Sequence, residues 1–488
     1  MVILGVFRSL TFLSRAFLEL SKVFFRPWAH GLLVTCLLCG VLALPLLSHA
    51  TEENIIVLTN ANIIDGTGSP VLAGMNLRIV GRRIDEIAAG LYEARGDEQE
   101  IVDLAGAYLV PGFWNMHTHL TALLPHNHAL DDATHGAKVV RAGVNAMEGL
   151  RFGFTAVRSV GEEDYIDVTW QRVFDEGFML GPRVFASGEP VSPTAGHRGA
   201  TVNGVDGVAA VRKAVRTRIQ RGASVIKIHN VEMFADELKA AVLTAHSLGV
   251  TVTSHSREPY IGIAVDAGID SIEHGYGLSE STIRKMALKG TYYVPTIICN
   301  LSDRYIRERE ARLASLGYAE DDQSVRLRTA IAYADERSQT AADVQRDALR
   351  KAAKAGVKLM IGSDSMPIGE QGWLEMEQFV LSGVSEMDTL VAATRNPAEF
   401  MGVLDDLGTV EEGKLADLVV LESNPLENIS NIRTVKMVFK DGINVDLKQP
   451  PGTLRFYDYF DSIGAPGTFV SRSETSAGFV RDANPYGN

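Results

Sequence analysis

Cysteine is nearly absent, with three residues in 488: Cys36, Cys39 and Cys299. That excludes a disulfide scaffold. Aromatic residues make 7% and charged residues 22% against 46% hydrophobic. This balance is that of an ordinary globular chain and excludes a disordered or collagenous one. Basic residues are the minority, 47 against 60 acidic, for a net charge of −13. A nucleic-acid binder would carry a basic stripe and a high pI, so no nucleic-acid partner is expected. The acidity is a solubility feature rather than the mark of a cationic substrate. No G-x-G-x-x-G turn follows a strand-like run, so nothing supports a dinucleotide-binding sheet. Length, in contrast, is ample. The chain is too long for one ordinary domain and can hold a βα barrel of about 250 residues with satellite structure.

The one long uncharged run, GLLVTCLLCGVLALPLL at 31–47, follows Arg8, Arg15, Lys22 and Arg26 and precedes Ser48-His49-Ala50. A basic region, an apolar stretch and a small-residue ending read as a signal peptide over 1–50. The expected location is periplasmic or secreted, with no stable membrane insertion after cleavage. Left uncleaved, the run would anchor the chain, being near the lower length limit of a span. Cys36 and Cys39 leave with the signal, so the mature chain has no internal disulfide.

The body repeats one pattern. Helix-like stretches end at Gly153, Gly181, Gly222, Gly249, Gly268, Gly290 and Gly356, and a short β-rich run follows each. Glycine just past a helix supplies the left-handed cap from which a strand can start. With YLVPGFWNMHTH (108–119) there are eight such runs. Helices alternating with short apolar strands predict an α/β fold, and eight units predict a (β/α)8 TIM barrel over 111–404. Residues 51–110 and 405–449 alternate like antiparallel strands and predict a small composite β-sandwich domain built from both chain ends. The tail 450–488 is rich in Gly, Pro and Ser and is expected to be extended.

The unusual residues fall where a barrel places its chemistry. His117 and His119 end the first strand and, two apart, share a face. His255 ends the fifth strand, His274 the sixth and Asp364 the eighth. Lys227 lies inside the fourth strand, on the face opposite Ile226 and Ile228, and a lysine is rarely buried without a partner. Each residue alone has an ordinary reading: a hydrogen-bonded histidine, a helix-capping aspartate, a snorkelling lysine. Their convergence at the strand ends points to metal. Imidazole and carboxylate are ordinary zinc ligands, and four histidines plus an aspartate exceed the needs of one open tetrahedral site. Two divalent ions, zinc by this ligand preference, would need a bridge. Burial favours the neutral amine of Lys227, which can take up CO2 to give a carbamate with two oxygens.

The chain resembles the metal-dependent amidohydrolase superfamily, in the branch related to imidazolonepropionase and Xaa-Pro dipeptidases. The resemblance spans about 55–445. It rests on GAYLVPGFWNMHTHL, GFTAVRSVG, SVIKIHN, the two strand-end histidines, LMIGSDS and AATRNPAEFMGVLDDLGTVEEGKLADLVVLESNPL. It implies His117, His119 and Asp364 on one metal, His255 and His274 on the other, carbamylated Lys227 between them, and Asp364 as general base and acid. Two positions depart from the family pattern: Asn115 replaces an acid before the H-x-H pair, and Ser159 an aspartate after Arg158.

For substrate contacts, His197 resembles a family loop histidine, and His229 lies two beyond Lys227 on its face. Arg198 and Arg257 are candidates to clamp a substrate carboxylate, the alternative for Arg257 being a local pair with Glu258 or Glu280. The predicted function is an exported binuclear amidohydrolase cleaving an amide bond of a dipeptide or N-acyl amino acid by attack of a metal-bridging hydroxide. Open alternatives are a lactone, carbamate or phosphotriester on the same site, a one-metal cyclic amidine deaminase, and an inactive binding relative. Lys227 argues against a one-metal site, which needs no bridge. The partner is a small-molecule substrate, and a homo-oligomer is compatible with the sequence.

Overall fold

The computed structural model describes residues 54–122, 134–196, 204–231, 233–300, 339–364 and 368–448. The signal segment and the C-terminal tail expected from sequence lie outside these residues. Among the described residues no helix is long and apolar enough to cross a membrane.

The chain opens with β1 (Ile55–Ile63), β2 (Leu72–Val80), β3 (Arg83–Ala89), β4 (Glu100–Asp103) and β5 (Tyr108–Pro111). It continues through β6 (Phe113–Thr118), α1 (His135–Arg151), β7 (Phe154–Ser159), α2 (Ile166–Asp175), β8 (Arg183–Ala186), α3 (Val208–Arg221) and β9 (Val225–His229). Next come α4 (Ala235–His246), β10 (Thr251–Arg257), α5 (Tyr260–Ala267), β11 (Ser271–Tyr276), α6 (Glu280–Lys289) and β12 (Tyr292–Val294). It ends with α7 (Gln339–Lys354), α8 (Ile368–Leu381), α9 (Glu386–Ala393), α10 (Arg395–Phe400), β13 (Leu418–Leu421), β14 (Val435–Lys440) and β15 (Ile443–Asn444).

The two chain ends meet in one eight-stranded sheet, ordered β15-β14-β13-β5-β1-β2-β3 with β4 on β1. The expectation of purely antiparallel strands is corrected. β1 pairs parallel with both β4 and β5, because the connection after β3 returns the chain to run alongside β1. β13 joins antiparallel to β5, which stitches the C-terminal strands to the N-terminal ones. At the other end, Ile84 N donates to Lys414 O and Ala416 N to Arg82 O, so β3 also returns toward the β13 segment.

Strand alternation buries both faces of this sheet. Leu418 and Val420 pack with Ile56, Leu58, Leu77, Ile79 and Phe439. Val419 and Leu421 point the other way, into the core of the α/β body with Ile226, Ile228, Leu238 and Val252.

The body has two parallel sheets, β6-β7-β8 and β9-β10-β11-β12. Backbone hydrogen bonds outside the ladders link them. Val191, after β8, accepts from His229 N and donates to Lys227 O at 2.9 and 2.8 Å. Beyond β12, Tyr293 N donates to Lys358 O and Met360 N to Tyr293 O, both at 2.9 Å. Met116 N of β6 then donates to Ile361 O at 2.7 Å. The run 357–361, expected as an eighth strand, makes only a bridge at Leu359. It runs beside β6 as far as Asp364, whose N donates to His117 O at 2.8 Å, and passes so close at Gly362 that an added Cβ there would lie 2.7 Å from the His117 Cβ.

Local sequence explains the helix ends. Thr134, Ser279 and Ser385 cap α1, α6 and α9 by accepting backbone N–H bonds, each satisfying an otherwise orphaned donor. Of the seven glycines that precede the strand-like runs, all but Gly181 have positive φ. Gly181 serves close approach instead, since a Cβ there would lie 2.2 Å from the Phe174 ring. Gly143 in α1 is similar: its added Cβ would fall 2.0 Å from the Trp170 indole, whose Nε1 is held by Val139 O at 2.7 Å. Gly143→Ala is therefore expected to destabilise the protein by about 1–3 kcal/mol, the scale of overpacking. A lowered denaturant midpoint at unchanged slope would show it; an unchanged midpoint would mean that the indole moves freely.

Candidate metal centre

Strand ends of the body bring the expected residues together. β6 carries His117 at its end, and His119 follows it; β9 carries Lys227 and His229; β10 carries His255; β11 carries His274. In β9 the isoleucines face the helices and enter the main core. Lys227 lies on the other face and is only 2% exposed. The alternation read from sequence is therefore borne out, burial included.

Five imidazoles form a continuous series. Ring centroids are separated by 5.5 Å from His229 to His255, 4.5 Å to His274, 4.8 Å to His117 and 5.6 Å to His119. Asp364 closes on this series. Its Oδ1 lies 3.4 Å from His117 Nε2 and 3.2 Å from His119 Nε2, and its Oδ2 lies 3.8 Å from His274 Nδ1. His117, His274 and Asp364 each offer a ligand atom within 4.8 Å of the other two. This trio cuts across the expected division into two ligand groups, because His274 lies next to both.

Backbone geometry holds the arrangement. Asp364 N donates to His117 O at 2.8 Å. Asp364 and His274 sit at φ of +50° and +65°, a left-handed region that costs a non-glycine residue about 1–3 kcal/mol and that concentrates at functional sites. Asn115 ties the first strand to the last run: its Nδ2 donates to Ser363 Oγ at 2.9 Å, and its Oδ1 accepts from Ser363 N at 3.1 Å. The amide thus supports the site where the family pattern has an acid. Ser159 is buried, with Oγ 3.5 Å from Glu162 Oε1.

Protonation states suit cation binding. His119 Nδ1 lies 3.0 Å from Gly161 O and His117 Nδ1 lies 2.7 Å from Glu273 Oε2. Both acceptors take the Nδ1 proton, so Nε2, on the side of Asp364, is the atom each ring would offer a cation. Burial, reinforced by neighbouring His255, pushes His274 well below the ordinary histidine value, so the ring is a neutral donor. Burial alone would raise the Asp364 carboxyl, but His117, His119 and His274 around it hold it well below the carboxylate range.

Two buried carboxylates escaped the sequence reading. Glu273 precedes His274 and lies 0% exposed against Arg158. Burial would raise it, yet the Arg158 charge and the His117 bond keep it far below its usual value. A glutamate inside a buried parallel strand was the available signal. Glu162, after β7, accepts from Thr121 N and Oγ1 beside the site. Burial and then Asp167 push it up to about 8.

The proposed substrate contacts fare differently. His229 is buried beside His255. Arg257 ends β10 in an exposed position, in register with Tyr276. Neither local pairing considered for it is made: Glu258 accepts from Ser279 N, and Glu280 pairs with Lys351 and Arg284. His197 and Arg198 lie outside the described residues.

Such a donor set at the strand ends of a parallel α/β body suits a divalent cation, and the class it defines is that of metal-dependent hydrolases. Residues 108–445 match the model of the amidohydrolase family. The chain belongs to that family and is a hydrolase of amide and related carbon–nitrogen bonds. It is similar to ochratoxinase of Aspergillus niger, with 27% identity over 455 residues covering 81% of this chain and 87% of that protein. A Xaa-Pro dipeptidase crystal structure with methionine in its active site superposes with a TM-score of 0.69 at 27% identity, covering 80% of this chain and 100% of the other. The A. niger ochratoxinase crystal structure gives a TM-score of 0.66 at 26% identity, covering 82% and 98%.

Proposed function

We propose that this chain is a binuclear amidohydrolase that cleaves the amide bond of a dipeptide or N-acyl amino acid. The observation that carries the reading is the convergence of five imidazoles, Asp364 and buried Lys227 on one site. The body is read as a closed (β/α)8 barrel over 111–404, with 51–110 and 405–449 as the composite β-sandwich. The dipeptidase and ochratoxinase similarities, together with a prolidase structure bearing N-methylphosphonate-L-proline at 27% identity, support an amide whose product end carries a carboxylate.

The donors fit divalent cations: neutral His274, Nε2 atoms of His117 and His119 freed by their Nδ1 acceptors, and an ionised Asp364. His117, His119 and Asp364 would hold one ion, His255 and His274 the other, and Lys227 as its carbamate would serve both. Bound there, divalent ions, zinc by donor type, supply Lewis acidity that polarises a carbonyl and acidifies water. Asp364, kept ionised by its histidines, takes a proton from the nucleophile and returns it to the leaving amine. Lys227 forms the carbamate when its neutral Nζ adds to CO2 and releases a proton. Arg257, at the strand end, offers a planar fork for the substrate carboxylate.

Metal analysis of purified protein should give close to two ions per chain. Stripping with a chelator should abolish hydrolysis of an N-acyl amino acid, and added Zn2+ should restore it. The corresponding C-terminal amide should be a worse substrate by roughly 2–3 kcal/mol in kcat/KM, the scale of a charged hydrogen bond. Arg257→Ala should erase that difference. Equal rates for acid and amide would remove the carboxylate from the reading and favour a neutral substrate such as a lactone or carbamate. Residues 1–50 are read as an export signal, so protein from its native host should begin near Thr51 on N-terminal sequencing. An intact, membrane-embedded N-terminus would show an anchor instead.

A further inference from the structure

Beneath the candidate metal centre lies a fully buried charged layer, of which only the Glu273–His117 contact has been used so far. Arg158 of β7 and Glu273 of β11 are both 0% exposed and form an ion pair at 2.7 Å. Arg158 spends its other donors locally. Nε donates to Met116 O at 2.6 Å and Nη1 to Ser271 Oγ at 3.3 Å. Its Cζ lies 5.1 Å from the centroid of the Phe400 ring. Glu273 Oε1 accepts from Arg158, from Ser271 Oγ at 2.8 Å and from Thr253 Oγ1. Its second oxygen, Oε2, takes His117 Nδ1 at 2.7 Å.

The division of labour is clear from the donors. Three groups on three strands clamp Oε1 and fix the carboxylate plane. The remaining oxygen then has one direction to point, at the imidazole. An acceptor on Nδ1 fixes the tautomer, leaving the lone pair on Nε2, and a carboxylate there raises the basicity of the ring as a ligand. Stability does not account for the pair. Removing two charges from water is expensive, and replacing a buried ion pair with well-packed uncharged groups is often neutral or stabilising. A fold selected for stability alone has no need of Arg158 and Glu273, whereas a cation site has.

We propose that Glu273, anchored by Arg158, is a positioning residue that sets the orientation and tautomer of His117 and thereby the affinity of the site for a divalent cation. The inference rests on the reading of His117 as a metal ligand.

The test uses the full chain and Zn2+, with affinity measured by chelator competition and the ligand field read from the visible spectrum of bound Co2+. Glu273→Gln keeps the shape and removes the charge. The double variant Arg158→Met/Glu273→Gln removes both charges, so neither is left buried without its partner. Both should bind Zn2+ about 10–100-fold more weakly, the usual loss for an outer partner of a metal ligand, with a shifted Co2+ spectrum. The metal-free double variant should still fold cooperatively, with a lowered melting point from the lost Arg158 bonds to Met116 O and Ser271 Oγ. Gly143→Ala, which lowers stability through its contact with the Trp170 indole, should leave affinity and spectrum unchanged.

Zn2+ affinity within twofold of the parent in both variants overturns the proposal. So does a metal-free double variant that fails to fold, since the pair would then serve the fold. His117→Ala separates the two readings. If it retains parental Zn2+ affinity, the ligand assignment itself fails. If it loses Zn2+ while the Glu273 variants do not, only the positioning role fails.

Discussion

Asp364→Asn is expected to lower kcat by about 10²–10⁴, the usual worth of general acid–base catalysis, while most of the metal stays bound. The substitution is nearly isosteric and keeps one oxygen toward His117 and His119, whose Nε2 atoms lie 3.4 and 3.2 Å from Oδ1. It also respects the backbone. Asp364 sits at φ +50°, a region that asparagine tolerates as well as aspartate. On the proposed reading the main loss falls on the group that accepts and returns the proton. Steady-state kinetics beside metal analysis of the same preparation gives the answer. A variant that keeps near-normal kcat would move the proton-transfer role to another residue.

Lys227→Ala should remove metal and activity together. Lys227 is among the largest fully buried side chains, and it lies on the strand that carries His229, paired alongside the strand that carries His255. If its carbamate serves both ions, losing it should cut kcat/KM by more than the roughly 10–100-fold typical of an outer partner, and metal content should fall below two per chain. Intact mass should show the parent heavier by one CO2 under conditions that preserve the carbamate. Reloading stripped parent with Zn2+ should require bicarbonate. A parent fully active with one ion and an unmodified lysine would sink the binuclear reading.

Much of the site was legible because strand physics is local. A period of two puts His117 with His119 and sets Lys227 against Ile226 and Ile228, and the structure brings these residues to one place. Glu273 was not legible, since its meaning depends on Arg158, Thr253 and Ser271, contributed by three strands. The grouping of His274 with His117 and Asp364 was not legible for a similar reason: it is set by how β11 lies beside the last run. In the composite sheet, alternation marked the strands correctly. Their direction depended on the connections after β3 and β4, where no pattern distinguishes parallel from antiparallel return. The last run was read as a strand from its apolar residues. It stays beside β6, with Gly362 pressed against His117, but forms only the bridge at Leu359.

The pairing of β5 with β13 has a consequence for how the molecule is made. Pro111 is bonded in register to Leu418, so the sheet begun by the first strands has its partner only when nearly all of the chain has been synthesised. At about 5–20 residues per second, those roughly 300 intervening residues take some 15–60 s to appear. During that interval β1 to β5 can form their own ladder, but the edge of β5 stays open. Pairings so far apart in sequence form slowly because the loop must close before any contact rewards it. The nascent chain therefore carries a waiting strand edge throughout translation, the state in which a targeting or holding factor could still engage it. Once β13 has docked, the N-terminal and C-terminal strands share one hydrogen-bonded ladder, and neither can be withdrawn without opening the other.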